Sequence, residues 1–130
     1  MNTVELRYSQ DHEWVKMESD DVAIVGVTDY AQEQLGDIVF VYCPDDLKTV
    51  EQFKPFGEIE SPKAVSELFA PVSGKIIETN ERLQDQPELV NEDPYGTGWI
   101  LKIKLTNRSE LENLMDAKQY RSMITDSSDD

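Results

Sequence analysis

Side chains able to do covalent chemistry are scarce in this sequence. Its 130 residues hold one histidine, His12, and one cysteine, Cys43. His12-Glu13-Trp14 lacks the second histidine of a zincin helix, and a single cysteine supplies no thiolate pair for zinc. His12 reads as a structural or surface residue before it reads as a general base. Cys43 closes an apolar run, where a thiol is a core group before it is a nucleophile. Neither common glycine-rich phosphate loop is present, and Tyr95-Gly96-Thr97-Gly98-Trp99, after Pro94 and before a strand, is a turn. Carboxylate pairs are too frequent in so acidic a chain for any one pair to be informative. These residues do not make an independent enzyme. One amine has a distinctive setting, that of Lys63. In Ser61-Pro62-Lys63-Ala64 the proline takes the second position of a turn, with the φ that types I and II require. Lys63 is then projected outward at the tip of a hairpin. On turn physics alone it is a solvated charge.

Short strands must hold that tip. Val22-Ala23-Ile24-Val25-Gly26-Val27 and Ile38-Val39-Phe40-Val41-Tyr42-Cys43 are β-branched and aromatic runs bounded by acids, Gly36 and Pro44. Leu101, Ile103 and Leu105 alternate with Lys102 and Lys104, one face for a core and one for water. Gly74-Lys75-Ile76-Ile77-Glu78-Thr79 reads as another strand. Ile59 precedes the hairpin tip, and Val65, Glu67 and Phe69 share one face of the strand that follows it. Strands of this length joined by Pro and Gly turns predict a mainly β sandwich or small barrel. Two helices interrupt it. Thr28 or Asp29 caps a short one through Leu35, with Gly36 at its end. A second is expected from Ser109, with Glu112 at capping-box spacing and an apolar stripe of Leu111, Leu114, Met115, Tyr120, Met123 and Ile124. That stripe packs on the sheet. The expectation is one domain over residues 1–125, with 126–130 a disordered tail.

Twelve basic against twenty-seven acidic residues give a formal charge of −15. Such a chain is a poor partner for nucleic acid or an anionic membrane, and no apolar run approaches the ~20 residues of a membrane span. Between Asp11 and Asp46 lie ten acidic residues and a single basic one, Lys16. That stretch is either a solvated face or a surface that steers basic partners. A lone cysteine fits a reducing compartment. The first thirty residues show neither an apolar signal core nor an Arg-rich transit pattern. The expectation is therefore a bacterial cytoplasmic protein, a trimmed mitochondrial matrix form being the alternative.

The stretch around Lys63 carries more. A lysine at a tight turn, with Ala70-Pro71-Val72-Ser73-Gly74 following and Gly74 eleven residues after it, resembles the attachment hairpin of lipoyl- and biotinyl-carrier domains. Biotin carriers usually flank the lysine with Met, whereas its neighbours here are Pro62 and Ala64. Glu60-Ser61-x-Lys63-Ala64 is instead similar to the lipoyl hairpin of the glycine cleavage system H-protein. His12-Glu13-Trp14, Gly26 through Gln32, Leu35-Gly36-Asp37, Pro87 through Asn91, Pro94-Tyr95, Gly98-Trp99 and Glu110-Leu111 to Tyr120 resemble that family too, in order and at its spacing. The chain departs from it at Pro62, where the family usually has Val, at Tyr30 in place of a frequent His, and along Val41-Tyr42-Cys43-Pro44.

The resemblance implies a barrel-sandwich hybrid like that of lipoyl domains, with a short internal helix and a C-terminal helix. It implies a carrier rather than an enzyme, with lipoate amide-linked to Lys63 and the hairpin of Glu60, Ser61, Pro62 and Ala64 presenting it. The implied partners are a pyridoxal phosphate-dependent glycine decarboxylase, an aminomethyltransferase and dihydrolipoyl dehydrogenase, with a lipoate ligase or lipoyltransferase to load the arm. The carrier itself is expected to be a monomer. Asp11, Glu13 and Glu67 match the polar lining of the family's arm-sheltering cleft, and would offer carboxylates to a cationic aminomethyl group. The same arm could instead serve sulfur oxidation or relay lipoate to 2-oxoacid dehydrogenases. An unmodified acidic interaction module is the remaining reading.

Overall fold

In the computed structural model, residues 6–128 are described. Their nine strands are β1 (Arg7–Tyr8), β2 (Glu13–Met17), β3 (Val22–Val27), β4 (Phe40–Tyr42), β5 (Thr49–Val50), β6 (Pro55–Ser61), β7 (Ala64–Phe69), β8 (Gly74–Thr79) and β9 (Leu101–Leu105). The helices are α1 (Asp29–Leu35), α2 (Arg82–Asp85), α3 (Leu89–Glu92) and α4 (Ala117–Ser128), with a 3-10 helix at Arg108–Asn113. The strands form two antiparallel sheets, a larger one in the order β1-β2-β3-β9-β8-β5 and a smaller one in the order β4-β6-β7. Their apolar faces meet as in a sandwich. Val15, Ala23, Val25, Leu101 and Ile103 of the large sheet join Ile59 and Leu68 of the small one in one buried cluster. The fold is mainly β, as expected.

Strands β3 and β8 coincide with the runs read from the sequence, and β9 alternates as its period requires. Leu101 and Ile103 are buried while Lys104 is exposed. The run from Ile38 to Cys43 behaves differently, since only Phe40–Tyr42 joins a ladder. The Ile38 N–H is taken by the Asn91 side chain, 2.8 Å away, and is not available to a neighbouring strand. At the other end Pro44 has no N–H to give.

Helix α1 begins and ends where its caps place it. Thr28 Oγ1 accepts from the Ala31 N–H at 3.2 Å. The Gly36 N–H closes on Gln32 O, with glycine at φ 84°. The helix expected from Ser109 is instead two elements. Asn107 Oδ1, not Ser109, caps the first, accepting from the Ser109 N–H and O–H. Met115 then exchanges two backbone hydrogen bonds of 2.8 Å with Tyr8, which demands extended backbone and stops the helix. The capping box sits seven residues further on: Asp116 Oδ1 accepts from the Gln119 N–H and Gln119 Oε1 from the Asp116 N–H. Helix α4 runs on to Ser128, so 126–128 of the expected tail continue its backbone, while Asp129 and Asp130 lie outside the described residues.

Strands β8 and β9 of the larger sheet approach closely at Gly74. A Cβ there would run into the Lys104 carbonyl and stand 2.7 Å from Ile103 Cγ2. Gly74→Ala is expected to lose about 1–3 kcal/mol, as overpacking does. Urea unfolding measures it, and an unchanged midpoint would mean that β8 and β9 can separate to take the methyl.

Candidate functional site

The β6–β7 hairpin carries the candidate lysine. Ser61 pairs with Ala64, which leaves Pro62 and Lys63 as a two-residue tip. Among the described non-glycine residues only His12 and Phe53 have positive φ. Lys63 therefore lies at negative φ, which excludes type II and the primed hairpin turns and leaves the type I sense that Pro62 favours. Pro62 stands exposed at a tip that needs no ladder N–H from it. Lys63 is exposed, and the ion pairs among the described residues involve Lys102, Lys104 and Arg108 instead. Its side chain lies back along the fold. Cε stands 3.5 Å from where a Cβ would sit on Gly36, at the C-terminal end of α1. Glu60 and Ala64 are half-buried, and Ser61 is buried with its Oγ unpartnered.

Asn91 on α3 fixes the ground beneath that lysine. Its Nδ2 donates to Gln32 Oε1 at 2.8 Å and to Gly36 O at 2.9 Å, while its Oδ1 accepts from Ile38. One amide thus holds the last turn of α1, its terminal glycine and the chain leading into β4. These are three of the four hydrogen bonds an asparagine amide can make.

The three acids expected to share a cleft have different surroundings. Glu13 is only 2% exposed. Its Oε1 is 2.7 Å from Ser9 Oγ, and its Oε2 accepts from the Phe69 N–H at 3.2 Å. Phe69 ends the edge strand β7, so Glu13 satisfies a strand group that has no neighbour to pair with. Burial pushes its carboxyl up from 4.5 to about 8, against the hydrogen bonds from Ser9 and Phe69, which act to lower it. Burial thus favours the protonated form of Glu13. Asp11 is exposed and lines a depression with Tyr8, Gln10, Phe53 and Met115. Glu67 is exposed and lines another with Tyr42, Pro55 and Glu58.

Residues 6–127 match the family described as Glycine cleavage H-protein. The chain belongs to the glycine cleavage H-protein family. It is 54% identical over 120 residues to the glycine cleavage system H protein of Staphylococcus carnosus, covering 92% of this chain and 94% of that one. With the Bacteroides fragilis protein of the same name it shares 51% over 119 residues, at the same coverage. The crystal structure of a glycine cleavage system H protein from Mycobacterium marinum has a TM-score of 0.84 to it at 36% identity, covering 95% of this chain and 99% of that one.

In this H-protein chain the two residues weighed first for chemistry are packing groups. His12, at φ 70°, places Nδ1 2.8 Å from the Tyr120 hydroxyl, which is itself 2.7 Å from Thr28 Oγ1. Burial lowers the imidazole pKa, the Asp11 charge acting the other way. Cys43 packs on the core, and burial pushes its thiol up to about 11, which keeps it protonated. Asn91 and Gly36 had not been singled out as site residues from the sequence. Gly36 had a local signal, as the stop of a capped helix. Asn91 had only its place in the Pro87 to Asn91 block, because its partners lie more than fifty residues away.

Two tests follow from these contacts. A group whose pKa is raised on folding withdraws stability as pH rises from its unfolded to its folded value, here from 4.5 to about 8. Glu13→Gln can keep both hydrogen bonds and has no proton to lose. Its urea midpoint should therefore fall less than the parent's between pH 5 and pH 8; parallel curves would mean Glu13 ionises as an exposed carboxylate does. Asn91→Leu should lose about 1–3 kcal/mol and speed amide exchange at Ile38; unchanged exchange there would show the Asn91 clamp to be dispensable.

Proposed function

We propose that this chain is the lipoyl carrier of a glycine cleavage system, bearing lipoate in amide linkage on Lys63. The observation that carries the reading is an exposed lysine, free of ion pairs among the described residues, at the tip of a rigid two-residue hairpin in an H-protein-family chain. The residues present fit such a group. The amine is open to a ligase or transferase, and Gly36, without a Cβ, leaves clear surface over the end of α1 for an uncharged arm. Lipoate supplies the thiol–disulfide chemistry by which an aminomethyl group is taken up and given over.

The chain's own residues present and shelter. Pro62 and the Ser61–Ala64 pair hold the tip in one geometry, so that the arm sweeps from a fixed origin and its end is concentrated at whichever enzyme has docked. Glu60 and Ala64 flank it. Asp11 and Glu67 are the exposed carboxylates that would accept hydrogen bonds from a cationic amine. Glu13, whose oxygens already serve Ser9 and Phe69, supports the strand that carries Glu67. The chain is thus a carrier without catalysis of its own. Glycine decarboxylase, aminomethyltransferase and dihydrolipoyl dehydrogenase are its enzymes, and a lipoate ligase or lipoyltransferase loads it. We place it in the bacterial cytoplasm and assign one carrier domain to residues 1–125, of which 6–125 are described. Among the described residues no helix is long and apolar enough to cross a membrane.

Intact mass and peptide mapping test this directly. Protein from cells supplied with lipoate should carry one lipoyl increment, on Lys63, and Lys63→Arg should carry none and reduce glycine oxidation in the reconstituted system to background. An unmodified Lys63 beside a control domain that is modified would overturn the proposal.

A further inference from the structure

Resting on that reading, we infer that the outer face of the β4–β6–β7 sheet is the docking surface for an arm-receiving enzyme, whose matching face is basic around an apolar centre. Two cross-strand rows define the surface. Phe40, Glu60 and Val65 form one, and Tyr42, Glu58 and Glu67 the next. Paired residues share a face, so all six side chains point the same way.

Their composition is unlike a solvated strand face. Phe40 and Tyr42 are each 47% exposed and Val65 61%, and the two rings stack at 6.2 Å between centroids. Val39, 54% exposed, precedes Phe40, and its N–H donates to Glu60 O. Beside it Tyr42, Pro44, Leu47, Pro55, Glu58 and Glu67 line a shallow depression that would take an apolar side chain. Glu58 stands directly opposite Glu67, and like charges in that relation cost stability. No ion pair among the described residues relieves Glu58, Glu60 or Glu67. An apolar centre with unpaired carboxylates around it is the complement of a face with apolar residues ringed by Arg and Lys. A second copy of this chain fits badly, because an isologous contact would bring the same carboxylates face to face on chains of net charge −15. The first row adjoins the Lys63 turn, and the second lies two residues further, about 7 Å along the strands. An enzyme seated there has the hairpin tip at its edge, within reach of the arm.

The test uses protein shown by mass to be lipoylated on Lys63, so that failure of the carrier reading is seen first and separately. Phe40→Ser/Tyr42→Ser and Val65→Lys replace exposed side chains, and circular dichroism and urea unfolding check that each folds. With the carrier as varied substrate, KM for purified glycine decarboxylase or for aminomethyltransferase should rise about tenfold or more, with kcat nearly unchanged. Glu58→Gln should flatten the rise of KM with ionic strength. Fully lipoylated, folded variants with parental KM for both enzymes would overturn the inference. So would a parent that sediments as a dimer and variants that sediment as monomers without change in KM.

Discussion

A lysine that several proteins must reach cannot itself be held by the core, so the backbone beneath it has to be held instead. The Ser61–Ala64 pair does this at the end of the small sheet. With only Pro62 and Lys63 between the strands, and φ of Pro62 set by its ring, the tip has little conformational freedom left. The lower end of the same sheet is buried through Ile59 and Leu68. Position is thus passed from the core to the tip through strand pairing, and the side chain alone remains free.

The ground on either side of the hairpin is fixed by polar groups more than by apolar ones. Helix α1 has no fully buried residue, and it is tied at both ends instead. At its start Thr28 caps it and is joined through the Tyr120 hydroxyl to His12, so that α4 docks on the helix by one chain of hydrogen bonds. At its finish Asn91 holds Gly36, against which Lys63 lies. Glu13 does similar work on the far edge of β7. Its carboxyl is pushed up because desolvation outweighs its hydrogen bonds, which favours the protonated form there. The lone histidine and Glu13 hold other residues in place through these contacts.

Much of this was legible in the residues. Strands β3 and β8, the alternation of β9, both ends of α1 and the hairpin tip all follow from local patterns: β-branched runs, period two, a Thr cap, a Gly stop and a proline turn. The misses have a common cause. The single helix expected from Ser109 is broken by a bridge between Met115 and Tyr8, more than a hundred residues away in sequence. The strand expected from Ile38 is shortened because Asn91, again remote, claims an N–H. The capping box at Ser109 and Glu112 lost to one at Asp116 and Gln119 for the same reason, since the bridge moved the start of the helix.

What the sequence alone determined about this protein is therefore its β character, the turn that exposes Lys63 and the ordered blocks that mark its family. These are written in neighbouring residues, whose φ preferences and side-chain periods need no distant partner. Tertiary structure alone decided that Glu13 is buried and engaged, that Asn91 stands under the lysine, and that Phe40, Tyr42 and Val65 share an exposed face with three carboxylates that form no ion pair among the described residues. Desolvation, long-range hydrogen bonds and strand register all depend on which distant segments meet, and no local pattern specifies that.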